Sequence, residues 1–254
     1  LGDLLRIFNN KTIDEVGGDV IGRIYEYFLS KFAKAVASDD GVFFTPKSLV
    51  KMLVNVLEPT SGIMLDPACG SGNFLTETYI ALRRLENKAL KLIMGDQIAW
   101  DLFDNAIKVS IGQFYGIEIN DFAVTVAKTA LWIAESQMLK ATEEILNRQL
   151  DFFPLKSYAN IVEGNALRID WETVVPKDKL NYIMGNPPFV GYSLQSEDQK
   201  KDILSIYVDE KGKPYKTAGK IDYVSGWYFK AAALMEGTRI HTAFVSTNSI
   251  TQGE

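Results

Sequence analysis

The stretch LDPACGSGNFL, Leu65 to Leu75, decides how the fold is read. Ile63-Met64-Leu65 is a short apolar run suited to a buried strand. Asp66 ends it, Gly70 and Gly72 follow two apart, and a helix is expected from Phe74 to Asn87. Glycines at a strand-to-helix turn let the backbone come close to a ligand. The spacing Asp-x-x-x-Gly-x-Gly is not the dinucleotide Gly-x-Gly-x-x-Gly, and no Lys-Ser/Thr follows as a phosphate loop requires. An acid at the strand end repels a pyrophosphate. It attracts, directly or through water, a ligand with a cationic amine. S-adenosylmethionine (SAM), with an ammonium and a sulfonium, has that character. The glycines alone suit a plain tight turn equally well; Asp66 favours the cofactor.

Outward from this turn the chain alternates strand and helix. Thr45 and Pro46 suit the N-cap and first turn of a helix running to about Leu57. Phe114 to Ile119 is expected as a second strand, Asp121 to Leu139 as a long helix, and Asn160 to Val162 and Tyr182 to Met184 as strands three and four. A helix from Tyr223 to Met235 and a fifth strand from Thr242 to Ser246 complete the pattern. Such alternation predicts an α/β fold: a doubly wound, mostly parallel sheet with helices on both faces. Ligands then sit beyond the carboxyl ends of the strands. Apolar residues at helical spacing from Val20 to Val36 make residues 1–40 a helical extension, leaving 41–254 as the α/β domain. Val190 to Lys220 is polar and lysine-rich. It reads as a long loop with one short helix, and either a functional segment or a solvated insertion fits its composition.

A nucleoside cofactor also needs an acid for its ribose hydroxyls, in this fold at the end of the second strand. Glu118 in QFYGIEIN stands there, further from the first strand than in a simple dinucleotide fold, so extra helices are expected between them. Asp96 is the rival, with less strand-like flanks. Asn165, in VEGNAL, is placed to bond an adenine, although turns favour Asn without any ligand. Arg83, Arg84, Glu86 and Lys88 read as one solvated helix face. Cys69 reads as a small turn residue and His241 as a surface residue. Tyr223 reads as core rather than pocket lining.

Composition narrows the classes. Of 254 residues 47% are apolar and 23% charged, ordinary globular usage. No apolar run approaches the ~20 residues that span a bilayer, and no signal peptide is visible. One cysteine excludes an internal disulfide and, with a single histidine, leaves little for a metal site. A cytoplasmic setting is expected. The net charge of −5 speaks against a self-sufficient nucleic-acid binder, but not against a catalytic domain whose grip on a duplex comes from another module.

Taken in order, FFTPKSLV, DPACGSGNF and GNPPF resemble the motifs of the γ-class N6-adenine DNA methyltransferases. GRIYEYFLSKFA is similar to the helical region of type I restriction modification subunits. DPACGSGNFLTETYIALRRLEN, GNALRIDW, DYVSGWYFKAA and FVSTNSITQGE look closer to single-chain type IIG (type IIL-like) restriction-modification enzymes. GNPPF alone is shared with protein-glutamine and guanine-N2 methyltransferases; the upstream FFTP makes the combination more specific. Two departures stand out. Asn165 occupies a place where many relatives carry an acid. The chain also stops at Glu254 after the fifth strand, where two more strands and a target-recognition domain are expected, so it reads as part of a longer protein.

The resemblance implies a Rossmann-like SAM-dependent methyltransferase domain acting on double-stranded DNA through a recognition domain or subunit outside this chain, without a metal. It implies that SAM is held by Phe44, Thr45, Pro46, Asp66, Ala68, Gly70, Gly72, Asn73, Phe74, Glu118, Ile119, Asn165, Ala166 and Asn186. It makes Asn186, Pro187, Pro188 and Phe189 catalytic. The Asn186 side-chain oxygen and the Pro187 carbonyl would accept the two N–H groups of adenine N6. The paired prolines would stiffen the loop, and Phe189 would stack on a flipped base. Thr45 could both cap its helix and touch the cofactor carboxylate.

Overall fold

The computed structural model describes residues 45–94, 107–147, 150 and 160–251. The expected helical extension, Phe44 and Asp96 lie outside the described residues. Five short strands form the sheet: β1 (Ile63–Asp66), β2 (Phe114–Glu118), β3 (Asn160–Glu163), β4 (Leu180–Gly185) and β5 (His241–Phe244). All neighbours are parallel, in the order β3-β2-β1-β4-β5. The chain builds outward from β1 to β3, crosses back over the sheet, and continues from β4 to β5. The direction of winding therefore reverses between β1 and β4, which is where an open α/β sheet opens its crevice.

Strand residues alternate between the two faces, and each face takes its own helices. Met64, Phe114 and Met184 join a core with α1 (Lys47–Leu57), α2 (Asn73–Met94) and α3 (Asp121–Leu146). Leu65, Ile117 and Ile183 face the other way, onto α4 (Trp171–Val174), α5 (Glu197–Ile206) and α6 (Ser225–Met235). Both α2 and α3 outrun their expected ends at Asn87 and Leu139. The added turns consist largely of good helix formers with no Gly or Pro to stop them. Asn120 caps α3, accepting from Ala123 N at 3.0 Å, and Asn147 ends it with φ +49°. In the segment read as a long loop, Ser196 and Gln199 form a reciprocal cap that starts α5.

Between β1 and β2, α2 is the long described helix, and a single 3₁₀ turn (Ile111–Gln113) precedes β2. Arg83 on α2 is not on a solvated face. It is 0% exposed, pairs with Glu86, and its Nη2 donates to Thr142 Oγ1 on α3 at 2.7 Å. Glu86 in turn accepts from the backbone N–H groups of Lys108 (2.6 Å) and Val109 (3.2 Å), and Gln113 Nε2 donates to Gly62 O at 3.3 Å. These bonds fix where β2 starts relative to α2 and β1. Arg84 and Lys88 are exposed as expected.

Arg83 and Arg84 are neighbours with opposite surroundings, so their substitution separates burial from sequence. Arg83→Met is expected to cost about 2–4 kcal/mol, because Glu86 and Thr142 lose their buried partner. Arg84→Met should stay within about 0.5 kcal/mol. Urea denaturation of both variants measures the difference, and equal effects would contradict the buried pair.

Candidate cofactor and methyl-acceptor site

The candidate residues from β1, β2 and β4 end side by side because their strands pair directly. β1 finishes at Asp66, β2 at Glu118, and β4 at Gly185 with Asn186 next in the chain. β4 comes so close to β1 that a Cβ at Gly185 would lie 2.4 Å from Asp66 Oδ1; any side chain there would displace the acid. Gly116, opposite Asp66 on β2, has a similar constraint, with Cys69 Sγ 2.8 Å from its missing Cβ. Cys69 is thus a buried small residue that packs the turn onto the sheet, as read from sequence.

The turn after β1 is tied on both sides. Asp66 Oδ1 accepts from Ala68 N at 3.0 Å, Cys69 N donates to Ile117 O at 3.1 Å, and Trp227 Nε1 donates to Pro67 O at 2.9 Å. Gly70 has φ +52° and Gly72 φ +81°, backbone that side chains strain. At Gly72 a Cβ would also meet Ala127 at 3.0 Å, whereas at Gly70 it would meet nothing within 4 Å. Gly70 N donates to Glu118 Oε2 at 2.9 Å and Asn120 N to Glu118 Oε1 at 3.0 Å, so the turn and the β2 acid form one unit. Asn73 starts α2 half-buried beside this unit, while Phe74 faces the core with Leu75 and Tyr79. Ile119, just past the acid, is 66% exposed.

Asp66 is 0% exposed, and its Oδ2 has no hydrogen-bond partner. Burial pushes its carboxyl up to about 8, opposed by the Ala68 N–H and reinforced by the charge of Glu118. A second unpartnered buried acceptor is Asn186 Oδ1. Val245 N donates to Gly185 O at 3.0 Å, which brings the end of β5 alongside, and the next residue, Ser246, also has a buried hydroxyl without a partner. Pro187 is buried; Pro188 and Phe189 are half-buried. The loop beyond them is pinned by Tyr223 N to Val190 O (2.9 Å) and Tyr192 N to Asp222 Oδ1 (3.0 Å).

Thr45 corrects one expectation. Pro46, exposed and with φ −57°, occupies the N-cap of α1, and no side chain caps that helix. Thr45 is buried, and its Oγ1 accepts instead from Asn186 Nδ2 at 3.0 Å. The partners are 141 residues apart, so no local sequence signal announces the contact.

Asn165 follows β3 beside the β2 acid, since Gly164 N donates to Glu118 O at 2.8 Å. Ala166 is buried, and its carbonyl accepts from Trp171 Nε1 (2.8 Å) and Lys230 Nζ (2.7 Å). Lys230 also bonds the Ile169 carbonyl and lies 5.2 Å from the Trp171 ring centroid. Burial lowers its amine to about 8, with the charge of Asp170 acting the other way. Sequence reading passed over Lys230; the signal was its place as the sole charge in the apolar helix SGWYFKAAALM.

Known proteins resemble this chain. DNA methyltransferase A of Bacillus subtilis (strain 168) is 43% identical over 195 residues, 74% of this chain and 21% of that protein. The HindI type I restriction enzyme methylase subunit of Haemophilus influenzae is 46% identical over 71 residues, 28% of this chain and 16% of the subunit. Among solved structures, the type IIL restriction-modification enzyme MmeI in complex with DNA matches with a TM-score of 0.69 and 37% identity. That match covers 94% of this chain and 30% of the MmeI chain. The chain therefore spans about a sixth to a third of these longer proteins. The family model described as the MmeI DNA-methyltransferase domain matches residues 45–254, the whole sheet with its crevice, and the chain belongs to that family.

Proposed function

We propose that this chain is the methyl-transferring part of a restriction-modification protein, moving a methyl group from SAM to the N6 amine of an adenine flipped out of double-stranded DNA. The observation that carries this reading is the pair of unpartnered acceptors, Asp66 Oδ2 and Asn186 Oδ1, at the ends of adjoining strands. Buried acceptors without donors call for an explanation, and an ammonium and a target amine have the N–H groups that such acceptors lack. Family membership and the DNA complex of MmeI support DNA as substrate class. The acidic balance supports recognition of the duplex by a part outside this chain.

The residues fit the cofactor chemically. The open space at Gly70 admits a ligand against backbone, Glu118 offers an acid to ribose hydroxyls, and Asn165 an amide to adenine. Asp66 acts on the ligand cation through its field or a bridging water. When bound, SAM supplies a methyl group made electrophilic by its sulfonium. Asn186 Oδ1 and the Pro187 carbonyl accept the two N–H bonds of the target amine, which draws the nitrogen lone pair out of conjugation and offsets the positive charge growing on it. Thr45 fixes the Asn186 amide from its other end. Phe189 stacks on the extruded base, returning about 1–3 kcal/mol of the few lost on flipping.

Labelled cofactor offered with DNA, RNA and protein to the full-length protein is expected to label DNA alone, as N6-methyladenine. Label on RNA or protein, or binding without transfer, would overturn the reading. Asn186→Ala is expected to lower kcat about 10²–10³-fold with SAM affinity nearly unchanged. Thr45→Val should lower kcat about tenfold, the worth of one positioning hydrogen bond; a change confined to KM for SAM would assign Thr45 to the cofactor instead.

The raised Asp66 carboxyl sets a pH dependence. Unfolded, it ionises near its ordinary value of about 4. Between about pH 4 and about 8 the folded protein therefore holds the extra proton, and its stability falls as pH rises through that window. A cationic ligand favours the carboxylate and expels that proton. Affinity for S-adenosylhomocysteine, which keeps the ammonium, should thus rise with pH toward about 8, by at most about tenfold per unit. Calorimetry in buffers of different ionisation enthalpy should detect proton release. Asp66→Asn should flatten the profile, and a flat wild-type profile would remove Asp66 from the cofactor site.

A further inference from the structure

Asp202, on α5, is a carboxylate that the proposed chemistry leaves without a role, and it is only 4% exposed. Its Oδ1 accepts from Arg168 Nε at 2.6 Å; its Oδ2 accepts from Asn165 Nδ2 at 2.8 Å and from the Tyr223 hydroxyl at 2.9 Å. On its other side Asn165 Oδ1 accepts from Leu167 N at 2.9 Å.

These partners settle an orientation that an amide does not settle by itself. The oxygen and nitrogen of an asparagine amide have nearly the same shape, and only neighbouring donors and acceptors distinguish them. A carboxylate only accepts, so Asp202 holds the NH₂ group. The Leu167 N–H only donates, so it holds the oxygen. The amide cannot turn over without facing acceptor to acceptor at one end and donor to donor at the other. One N–H is held by Asp202, and the oxygen keeps one lone pair beyond the bond to Leu167. In this orientation that lone pair is what Asn165 offers a nucleoside in the crevice.

We infer that Asp202 is a positioning residue that locks Asn165 as a hydrogen-bond acceptor, giving the cofactor pocket its preference for a 6-aminopurine over a 6-oxopurine. The inference rests on the proposed SAM site. An unrestrained amide would meet an exocyclic amine with its oxygen or an exocyclic carbonyl with its nitrogen. The locked one meets only the amine, and a carbonyl in that place faces a lone pair.

The test is a ratio of affinities, measured by calorimetry on the full-length protein for S-adenosylhomocysteine and its 6-oxo counterpart, S-inosylhomocysteine. Wild type is expected to favour the amine at least about tenfold, the worth of one directed hydrogen bond in a site built for it. In Asp202→Asn the partner can present either end to Asn165, and the ratio is expected to fall to within about threefold. Asp202→Glu restores the carboxylate and should restore most of the ratio. A staple that merely holds α5 would weaken both ligands alike and leave the ratio standing, which would overturn the inference. Asn165→Ala gives a second arm should Asp202→Asn fail to fold: its ratio should also collapse, and a preserved one overturns the inference independently. If wild type binds neither nucleoside, the SAM reading itself falls. If it binds both with a ratio insensitive to Asp202, only the positioning role falls.

Discussion

The close approach of β1 and β4 is the constraint on which the site depends. Two parallel strands pair at ordinary spacing, but one carries a buried acid at its end and the other has no side chain there. Gly185 leaves the volume that Asp66 occupies, and a methyl group at that point would overlap the carboxylate oxygen. Asp66 and Asn186 are consequently neighbours across the sheet although 120 residues separate them in sequence. The same pairing makes the winding reverse between these strands, so the crevice and its two unpartnered acceptors share one cause.

Electrostatics at this end of the sheet is arranged by backbone more than by side chains. Among the described bonds, Asp66 and Glu118 receive N–H groups from Ala68, Gly70 and Asn120, and no arginine or lysine. Neutral donors hold the two acids in place without a fixed counter-charge, so the raised Asp66 carboxyl stays open to a cationic partner. Lys230 works in the opposite sense on the far side of the Asn165 turn, gathering carbonyls of Ala166 and Ile169. The turn that carries Asn165 is therefore held by the Lys230 amine, by Asp202 and by the β2 backbone.

Much of the fold was legible because four of the five strands are short runs closed by Asp, Glu or Gly, and strand ends were read within two residues. The glycine turn was legible for the same reason: its residue types serve a local backbone need. What escaped was set by distant contacts. Arg83 looked like its neighbour Arg84 until α3 brought Thr142 against it. Thr45 looked like a helix cap, and its partner proved to be Asn186, just past β4. Asn165 was noticed, but Asp202 lay in a lysine-rich segment whose composition suits solvent. The order of strands was also invisible, since alternation predicts parallel pairing but does not say that the chain returns across the sheet after β3.

The bonds from Glu86 to the Lys108 and Val109 backbone have an engineering consequence. They anchor β2 to α2 downstream of Met94, with Gln113 adding a tether to Gly62. The register of β2, and with it the position of Glu118 beside the glycine turn, is thereby held by one α2 carboxylate as well as by the sheet's own ladder. Glu86 is thus a handle by which a substitution on a helix can alter the alignment of Glu118 with Gly70, a contact it does not itself touch.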